Sequence, residues 1–541
     1  MNVHLLQQQQ QQQQQQHDET TEIAPGDIPG SILVGRPLLV FMSVFVSICV
    51  FLFGYDQGYF SSIIVNPHFK LEFNDPSALQ IGTVVAILEI GALLTSLSLT
   101  HIAERRGRRR TTRLGALLFS LGGLVQTFAW NLTILGLGRF VSGMGVGLLS
   151  GTAPMYMIEI SGADQRGFLG CVQFTGNILG YSSSIWLDYA CSYIDGNLSF
   201  RIPLASQVFF GLILWLGSYL LVESPRWLLE HDHDEEGLVV LADLFANGEV
   251  HSPIAIQEFS SIKENVILNR FQGKLDLWST VITYPHRVFI ACSAQFFAQF
   301  NGINVISYYA PLVFENAGWE GRDALKMTGL NSIIYLISTL IPWKLSESWG
   351  RKPLLIFGGA GMGISLILIS ITSLLKHSKL VVLFVSVYNS MFGISWGPIG
   401  WLIGPEVLPN KARSGGSSLA TATNWISNFI VGQLAPILLE KIQWRLYLIH
   451  SISCFTSMCV VYFVYPETKG LSLEEMESLF NDGTSSMTKS SRAPSTVESA
   501  TLGIDPMQPP QEPNINVQVP SLKSIHKFKT DDSRSIRSWV A

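Results

Sequence analysis

Three ionisable residues, Asp56, Glu89 and Arg139, lie inside long apolar stretches of this chain. A charged side chain is costly in hydrocarbon, so such residues usually pair with one another or mark a path for ions or protons. The sequence leaves open whether Asp56 and Arg139 serve such a path or form a permanent pair between two helices. Glu89 could line a cavity, modulate a proton path or bond to a neighbouring helix.

Charged motifs at the ends of the apolar stretches occur twice. Glu104, Glu159 and Glu223 recur in similar contexts 243, 247 and 244 residues later, as Glu347, Glu406 and Glu467. Nearly constant offsets indicate two copies of one helical unit, which in a bilayer is typical of transporters whose halves rock about a central site. Acids repeated together with glycines favour a charge cluster that latches a conformation, over basic residues that only set orientation. The residues assigned to this cytoplasmic latch are Glu104, Arg105, Arg109, Glu159, Arg166, Glu223, Arg226, Glu347, Arg351, Glu406, Arg413 and Glu467.

The composition is that of a chain solvated mainly by lipid. Of its 541 residues, 48% are hydrophobic and 14% charged, against about 25% charged in a soluble protein. The basic cluster lies between apolar segments, so nucleic-acid binding has no support, and neither a Walker-type motif nor a catalytic constellation appears. We therefore expect no enzyme, no ATP-driven pump and no cofactor. His231 and His233 lack a cysteine partner and indicate a solvated loop rather than a metal site, and the six cysteines form no disulfide framework.

We predict an all-α membrane protein with twelve transmembrane helices in two six-helix bundles related by pseudo-symmetry. A spanning helix needs about 20 apolar residues, and continuous apolar runs exclude a β-barrel. The predicted spans are 38–60, 78–100, 112–130, 133–155, 168–188, 202–222, 287–308, 327–346, 354–374, 379–403, 415–438 and 445–465. The predicted segments are a disordered N-terminus with a poly-Gln run (1–37), a first bundle (38–222), a central loop with short helices (223–286), a second bundle (287–465) and a mostly disordered tail (466–541).

Lys and Arg residues in the loops determine the predicted orientation. The basic loops after the second, eighth and tenth spans fall on one side, which the positive-inside rule makes cytoplasmic. Both termini and the central loop are then cytoplasmic, and Asn197, in an N-x-S/T sequon of an outer loop, is the glycosylation candidate. No cleavable signal peptide precedes the first apolar segment, which should stay in the bilayer. We expect the plasma membrane, with the vacuolar membrane as the alternative.

Motifs between Phe53 and Glu475 together resemble the sugar porters of the major facilitator superfamily, and the first motif resembles fungal members. They are Gly54-Tyr55-Asp56-Gln57-Gly58, Gly138-Arg139-Phe140, Pro154-Met155-Tyr156 with Glu159, Arg166-Gly167, Glu223-Ser224-Pro225-Arg226-Trp227, Gln299 to Asn304, Tyr308-Tyr309, Gly397-Pro398 with Trp401, Glu406, Asn424-Trp425 and Pro466-Glu467-Thr468-Lys469-Gly470. By this resemblance, Asp56 would carry a proton and Arg139 would be its partner. Neutralising Asp56 would release Arg139 and bias the halves toward another state. Facilitative relatives also keep this acid, so a permanent ion pair is the alternative.

A sugar presents hydroxyls that both donate and accept and a weakly apolar face, so its site needs neutral amides and an aromatic platform. The resemblance assigns the platform to Trp401, with Phe392 and Trp425 as weaker candidates. It assigns the amides to Gln173, Gln299, Asn304 and Asn424, and Asn331 is a further candidate. The alternative to substrate binding, for each amide, is a structural hydrogen bond between helices.

Two residues of the seventh span depart from the family pattern. Ala298 replaces a glutamine that is common in the family, and Asn301 stands where Ser or Thr is usual. A missing amide would leave a substrate hydroxyl unpaired at a cost of about 1–3 kcal/mol. Either the pocket is rearranged, with Gln295 as a weak compensator, or the substrate is a polyol, pentose or disaccharide rather than a standard hexose.

Gating residues are the last candidates. Pro398 lacks a backbone donor and can bend the tenth helix, either as a gate or as a static kink. Tyr308 and Tyr309 end the seventh span on the outer side, where the resemblance favours closure over substrate above a place in the interfacial aromatic belt.

Together these inferences predict secondary active transport of a monosaccharide, with a hexose favoured, coupled to proton import. The alternatives are a facilitative sugar or polyol uniporter and a non-transporting sugar receptor that signals through its cytoplasmic tail. The expected partners are a small sugar or polyol, protons and the lipid bilayer, and a monomer is expected to suffice.

Overall fold

The computed structural model describes residues 33–161, 166–272, 275–470 and residue 480, and these residues contain helices and no strand. The first half contains α1 (Arg36–Ile63), α2 (Pro67–Glu72), α3 (Ala78–Thr127), α4 (Leu132–Ile160), α5 (Arg166–Cys191) and α6 (Leu198–Gly217). The central segment contains α7 (Pro225–Glu230), α8 (Asp234–Phe245), α9 (Pro253–Gln272) and α10 (Leu277–Thr283). The second half contains α11 (Pro285–Phe300), α12 (Ile303–Tyr308), α13 (Ala310–Asn316), α14 (Arg322–Ser338), α15 (Pro342–Trp349), α16 (Arg351–Leu374), α17 (Ser378–Ile394), α18 (Trp396–Val407), α19 (Asn410–Ile442) and α20 (Arg445–Val464). The poly-Gln run and the tail after residue 480 lie outside the described residues.

These helices form twelve spans, six in each half. The 50 residues of α3 supply two spans, because the helix bends at Gly107, whose φ of 81° and ψ of 170° are not helical. In the second half, three spans consist of two helices each: α11 with α12, α14 with α15, and α17 with α18. The seventh span breaks at Gly302, which has a φ of 100°, and the tenth breaks at Ser395.

Fewer helices are apolar enough to cross a membrane by composition alone. Within the described ranges, eight helical segments are long and apolar enough to cross a membrane. The bent pair α14 and α15 would make a ninth if it forms one span. The other three spans are α5, α19 and the second part of α3. In α5 and α19, buried polar residues such as Asn177, Asp188 and Asn428 lower the mean hydropathy without facing lipid. The second part of α3 begins with basic residues.

Close backbone contact between α3 and α4 positions two of the ionisable residues. A Cβ built at Gly143 would lie 2.0 Å from the carbonyl oxygen of Leu88, and one at Gly91 would lie 2.2 Å from that of Phe140. Only glycine allows this approach. Glu89 and Arg139 are neighbours of these contacts in the sequence, so both are fixed at one tightly packed helix pair.

The central segment packs at one end of the molecule, which we call the inner end; the opposite end is the outer end. Leu229, Leu241 and Phe259 are fully buried in its small apolar core. The Nζ of Lys263 lies 2.6 Å from Oδ1 of Asp234. The backbone N–H of Gly35 donates to the carbonyl of Asp243 at 2.6 Å, which joins this segment to the start of α1.

Candidate functional site

Two adjoining cavities lie between the halves. Both are lined by Phe53, Phe174, Asn177 and Trp401. The central cavity has about 500 Å³ of empty space, part of it open to solvent. Its other lining residues are Gln57, Ile178, Tyr181, Ala298, Gln299, Ile303, Asn304, Ser307, Tyr335, Phe392, Trp396, Gly397 and Asn424. The inner cavity has about 720 Å³ of empty space, part of it open to solvent, and extends toward the inner ends of α4 and α18. Its other lining residues are Val50, Ser150, Pro154, Met157, Ile158, Gly170, Gln173, Pro398, Leu402 and Pro405.

The structure brings most of the predicted binding residues to these cavities. Gln299, Asn304 and Asn424 line the central cavity, and Gln173 lines the inner one. The indole of Trp401 lies at the wall that the two share. Asn331 lines neither cavity: it is fully buried, and neither of its amide atoms has a hydrogen-bond partner within the described part of the chain.

The weaker aromatic candidates are divided. Phe392 lines the central cavity and lies 6.4 Å from Phe174, centroid to centroid. Trp425 lines neither cavity and packs edge-on against Phe53 at 5.1 Å. Trp396, Tyr181 and Gln57 also line the central cavity, and sequence reasoning assigned them no binding role.

Hydrogen bonds fix the orientation of two lining amides. The Nε2 of Gln173 donates to the carbonyl of Ala153 at 3.0 Å. The Nδ2 of Asn424 donates to Oε1 of Gln295 at 2.7 Å, and Nε2 of Gln295 donates to the carbonyl of Gly400 at 2.8 Å. A backbone carbonyl can only accept, so every bond of this series is donated in the same direction, from Asn424 through Gln295 to Gly400. Gln295 therefore positions Asn424 and does not itself line a cavity.

The two residues that depart from the family pattern, Ala298 and Asn301, lie in different parts of the structure. Ala298 lines the central cavity without a polar group. Asn301 instead packs against α17 and α20. Its side-chain Nδ2 donates to Ser457 at 3.3 Å, and its backbone carbonyl accepts from Tyr388 at 2.9 Å. Asn301 thus holds the break of the seventh span in place, beside Gly302.

Asp56 and Arg139 form a buried ion pair between α1 and α4. Nη1 of Arg139 lies 3.2 Å from Oδ1 of Asp56, and both side chains are almost fully buried. Tyr59 donates to Oδ2 of Asp56 at 3.0 Å. Arg139 also donates to the carbonyls of Val84 at 2.7 Å and Val85 at 3.0 Å. These bonds offset part of the desolvation cost of both charges.

Tyr308 joins the two halves at the outer side of the central cavity. Its hydroxyl donates to Oε1 of Glu89 at 2.7 Å, and Nε2 of Gln57 donates to the same hydroxyl at 3.2 Å. Tyr309 instead bonds within the second half, where its hydroxyl donates to the carbonyl of Gly432 at 2.7 Å. Pro398 lies in the first turn of α18, just after the break at Ser395.

The first copy of the latch is a network at the inner end of the first half. Nη2 of Arg108 lies 2.6 Å from Oε1 of Glu159. Oε1 of Glu223 accepts the backbone N–H of Arg108 at 2.7 Å and that of Arg109 at 3.2 Å. Burial raises the pKa of Glu223 above its usual value, although these backbone donors oppose the shift.

The second copy repeats this geometry. Glu467 accepts the backbone N–H groups of Arg351 at 2.9 Å and Lys352 at 3.0 Å. Nη2 of Arg351 lies 3.1 Å from Oε1 of Glu406. Gly350, with a φ of 98°, stands in the place of Gly107. The same carboxylate, arginine and glycine thus occupy matching positions in both halves.

The other predicted latch residues have separate contacts. Arg108, which was not assigned to the latch, makes the ion pair with Glu159, whereas Arg105 is exposed. The side chain of Arg166 lies outside the described part of the chain. The remaining contacts are Trp227 with the carbonyl of Glu104 (2.7 Å), Arg109 with the carbonyl of Tyr219 (3.1 Å), Arg226 with Glu230 (3.4 Å), Glu347 with Arg351 (3.1 Å) and Arg413 with the carbonyl of Pro405 (3.1 Å).

Three further residues, Asn197, His231 and Asp188, lie outside the cavities and the latch. Asn197 is exposed at the outer end, where its amide donates to Glu72 at 2.8 Å. His231 stacks on Trp227 with ring centroids 4.2 Å apart, and no group of His, Cys, Asp or Glu suited to a metal occurs in the described part of the chain. Asp188 is a further buried acid, in α5, and its Oδ2 has no hydrogen-bond partner among the residues that the structure describes.

Two polar residues at or near the site, Gln57 and Asn428, were not predicted to belong to it, although their positions in the sequence point to both. Gln57 directly follows Asp56. Asn428 follows Asn424 by one helical turn and therefore shares its face of α19; it is fully buried.

The sequence is similar to known proteins over most of its length. The family model described as "Sugar (and other) transporter" matches residues 42–480. The MFS-type transporter oryC of Aspergillus oryzae is 31% identical over 470 residues, which cover 83% of this chain and 86% of that protein. The high-affinity glucose transporter of Kluyveromyces lactis is 31% identical and covers 80% and 83%. The sugar transporter STL1 of Saccharomyces cerevisiae is 30% identical and covers 84% of each chain.

The fold is similar to solved structures as well. The proton:xylose symporter XylE, bound to 6-bromo-6-deoxy-D-glucose, matches with a TM-score of 0.73 at 25% identity, covering 82% of this chain and 99% of its own. The inward-open conformation of the xylose transporter XylE from E. coli matches with a TM-score of 0.68 at 25% identity.

Proposed function

This chain belongs to the sugar (and other) transporter family, and we propose that it moves a monosaccharide, with a hexose as the first candidate, inward by alternating access coupled to proton import. It is a multi-pass membrane transporter rather than an enzyme. Membership of this family confirms the resemblance drawn from the sequence motifs.

The observation that carries the substrate class is the lining of the two cavities. Among the described residues, no Asp, Glu, Lys or Arg lines either cavity. A charged wall would have to be desolvated without a matching charge on a neutral ligand. Amides and an indole, by contrast, match hydroxyls and the apolar face of a sugar ring. Gln299, Asn304, Asn424 and Trp401 therefore form the proposed binding site, with Gln173 at its inner side.

Ala298 bears on which sugar the site would accept. Its side chain offers no hydrogen bond to a substrate, and Gln295 is held by Gly400 and Asn424. A polyol, pentose or disaccharide therefore stays an alternative substrate.

The contacts between the halves support alternating access. At the outer end, Tyr308 contacts Glu89, and Gln433 contacts Thr83 at 3.2 Å. Toward the inner end, the central cavity adjoins the inner cavity, which reaches Pro405. Substrate release to the inner side would then need no separation of the outer contacts.

Proton coupling is assigned to Asp56 and Arg139. When a proton neutralises Asp56, Arg139 loses its ionic partner and keeps the carbonyls of Val84 and Val85, the Tyr59 hydroxyl and the ring of Phe60. Loss of the ion pair would shift the balance between the two orientations of the halves. We further propose that the protein lies in the plasma membrane with both termini in the cytoplasm. Asn197 would be glycosylated, and a monomer would suffice for transport.

The test is radiolabelled uptake in a transporter-deficient cell, with a panel of sugars and polyols, with and without a protonophore. We expect accumulation that the protonophore abolishes. Asp56→Asn should abolish uphill accumulation while exchange of labelled for unlabelled substrate persists. Asp188→Asn, a matched change at another buried acid, should keep accumulation.

Each outcome separates the alternatives. Protonophore-insensitive uptake would identify a uniporter, and accumulation by Asp56→Asn would remove its proton role. Absence of flux for every substrate, with signalling intact, would favour the receptor.

A further inference from the structure

Five side chains form a continuous series of hydrogen bonds from Glu89 in the first half to the central cavity. Tyr308 donates to Oε1 of Glu89 at 2.7 Å, and Nδ2 of Asn428 donates to the Tyr308 hydroxyl at 3.0 Å. Nδ2 of Asn304 donates to Oδ1 of Asn428 at 2.6 Å and to Oε1 of Gln299 at 2.5 Å. The series connects α3 with α12, α19 and α11, and its last two members line the central cavity.

The first member sets the direction of every bond in this series. Oε1 of Glu89 accepts, so the single hydrogen of Tyr308 points toward it, and the Tyr308 oxygen must accept from Asn428. Asn428 then presents its Oδ1 to Asn304, and both amide hydrogens of Asn304 are used. The atoms left for a ligand are Nε2 of Gln299, a donor, and Oδ1 of Asn304, an acceptor.

Among the described residues, Tyr308 is the hydrogen-bond partner of the Glu89 side chain. The residue is 1% exposed, and its Oε2 has no hydrogen-bond partner. The charged and titratable groups near it are Asp56 on α1, Arg139 on α4, Tyr308 on α12 and Tyr309, which follows α12. Arg139 is engaged by Asp56, Val84 and Val85. A buried carboxyl is costly, and the bond to Tyr308 is the interaction that it makes here.

We propose that Glu89 is a positioning residue with two linked effects. By accepting from Tyr308 it holds the outer ends of the two halves together, and through Asn428 it fixes which amide atoms of Gln299 and Asn304 face the substrate. Separation of the halves at the outer side breaks the first bond and frees the amides to turn. Closure of the outer side therefore completes the binding site. This inference rests on the proposed function.

Val85 lies one helical turn before Glu89, and its carbonyl accepts from Arg139 at 3.0 Å. The same turn of α3 thus contacts the Asp56–Arg139 pair and carries the acceptor for Tyr308. Both protonation states of Glu89 retain an accepting oxygen, so its role in this series requires an acceptor rather than a charge.

The first experiment does not depend on any substrate. Ala298→Cys is introduced into the full chain with Cys191→Ser, and a membrane-impermeant maleimide is added outside intact cells. Glu89→Met keeps the side-chain length but removes the acceptor, and Tyr308→Phe removes the donor. Each should raise the labelling rate at position 298 roughly fivefold, which is the effect of losing one buried hydrogen bond. The double variant should label no faster than the faster single one, because both changes break one bond.

Two further variants decide the mechanism. Glu89→Gln keeps an accepting oxygen and should label within about twofold of the parent. Tyr309→Phe removes the neighbouring hydroxyl, which bonds within the second half, and should also label as the parent does. Fast labelling of Glu89→Gln, fast labelling of Tyr309→Phe or slow labelling of Glu89→Met would each overturn the proposal.

The second experiment tests the orientation of the amides, with the sugar that the uptake panel identifies. Fluorine accepts a hydrogen bond but does not donate one, so the parent should prefer the fluoro analogue to the deoxy analogue at the hydroxyl that contacts Gln299. Glu89→Met should lose most of this preference, and Glu89→Gln should keep it. An unchanged preference in Glu89→Met would contradict the amide part. If the parent transports no sugar, the proposed function fails while the labelling result still decides the contact between the halves.

Discussion

Gln295 shows how a side chain outside a cavity determines what a lining side chain offers. It accepts from Asn424 at 2.7 Å and donates to the carbonyl of Gly400 at 2.8 Å. One of the two amide hydrogens of Asn424 is therefore engaged before any ligand binds. The family pattern suggested Gln295 as a replacement for the amide missing at Ala298, whereas its contacts give it a supporting place behind the wall.

Replacing Gln295 with leucine should weaken substrate binding although the residue touches no cavity. The change leaves Asn424 without a partner and free to turn, and loss of one such bond costs about 1 kcal/mol. The expected result is an increase of about fivefold in the KM of uptake, with a smaller change in the maximal rate. A KM equal to that of the parent would show that Asn424 keeps its orientation without Gln295.

At the scale of elements, the two copies of the latch depend on a glycine at the same place. A Cβ built at Gly107 would lie 2.4 Å from Oε2 of Glu223, and one at Gly350 would lie 2.6 Å from Oε2 of Glu467. Both glycines have positive φ angles, 81° and 98°. The carboxylate reaches the backbone N–H groups of the two residues that follow the glycine because this space is empty.

Gly107→Ala and Gly350→Ala should therefore destabilise the protein by similar amounts. A residue with a side chain is strained at this φ and ψ by about 1–3 kcal/mol, and its Cβ would displace the carboxylate. Thermal unfolding of the purified protein in detergent should show a lower midpoint for both variants. Gly136→Ala is the matched control, since nothing lies within 4 Å of its built Cβ. An unchanged midpoint for either latch variant would contradict this account.

At the scale of the molecule, the halves meet at the outer end through contacts other than Tyr308 and Glu89. Nε2 of Gln433 donates to Oγ1 of Thr83 at 3.2 Å, and a Cβ at Gly82 would lie 2.6 Å from the carbonyl of Gln433. Helices α3 and α19 are therefore in close contact there. Alternating access requires that this contact separate in each cycle.

A cross-link at this contact should stop transport reversibly. Oxidation of the double variant Thr83→Cys and Gln433→Cys should form a disulfide that abolishes uptake, and a reductant should restore it. Each single variant, treated in the same way, should keep its uptake. Full uptake with the cross-link formed would mean that the outer ends do not separate at this contact.

The sequence by itself determined the twelve spans, the duplication and the family, because apolar length and motif spacing are properties of the chain's order. It also identified Asp56 and Arg139, since a charge in an apolar stretch is evident without coordinates. The family was confirmed, while the roles of individual site residues stay predictions. Apolar length did not determine the exact residues at which helices bend or break, Gly107, Gly302 and Ser395, because these depend on local backbone geometry.

Only the tertiary structure decided which polar atoms meet. It placed Asn331 away from both cavities, moved Asn301 into a packing seam, made Arg108 the partner of Glu159 and joined Glu89 to Tyr308. The physical reason is that a hydrogen bond depends on the rotation of a helix about its axis and on a partner contributed by a distant segment. Neither is written in local composition, because the packing of all twelve spans sets both together.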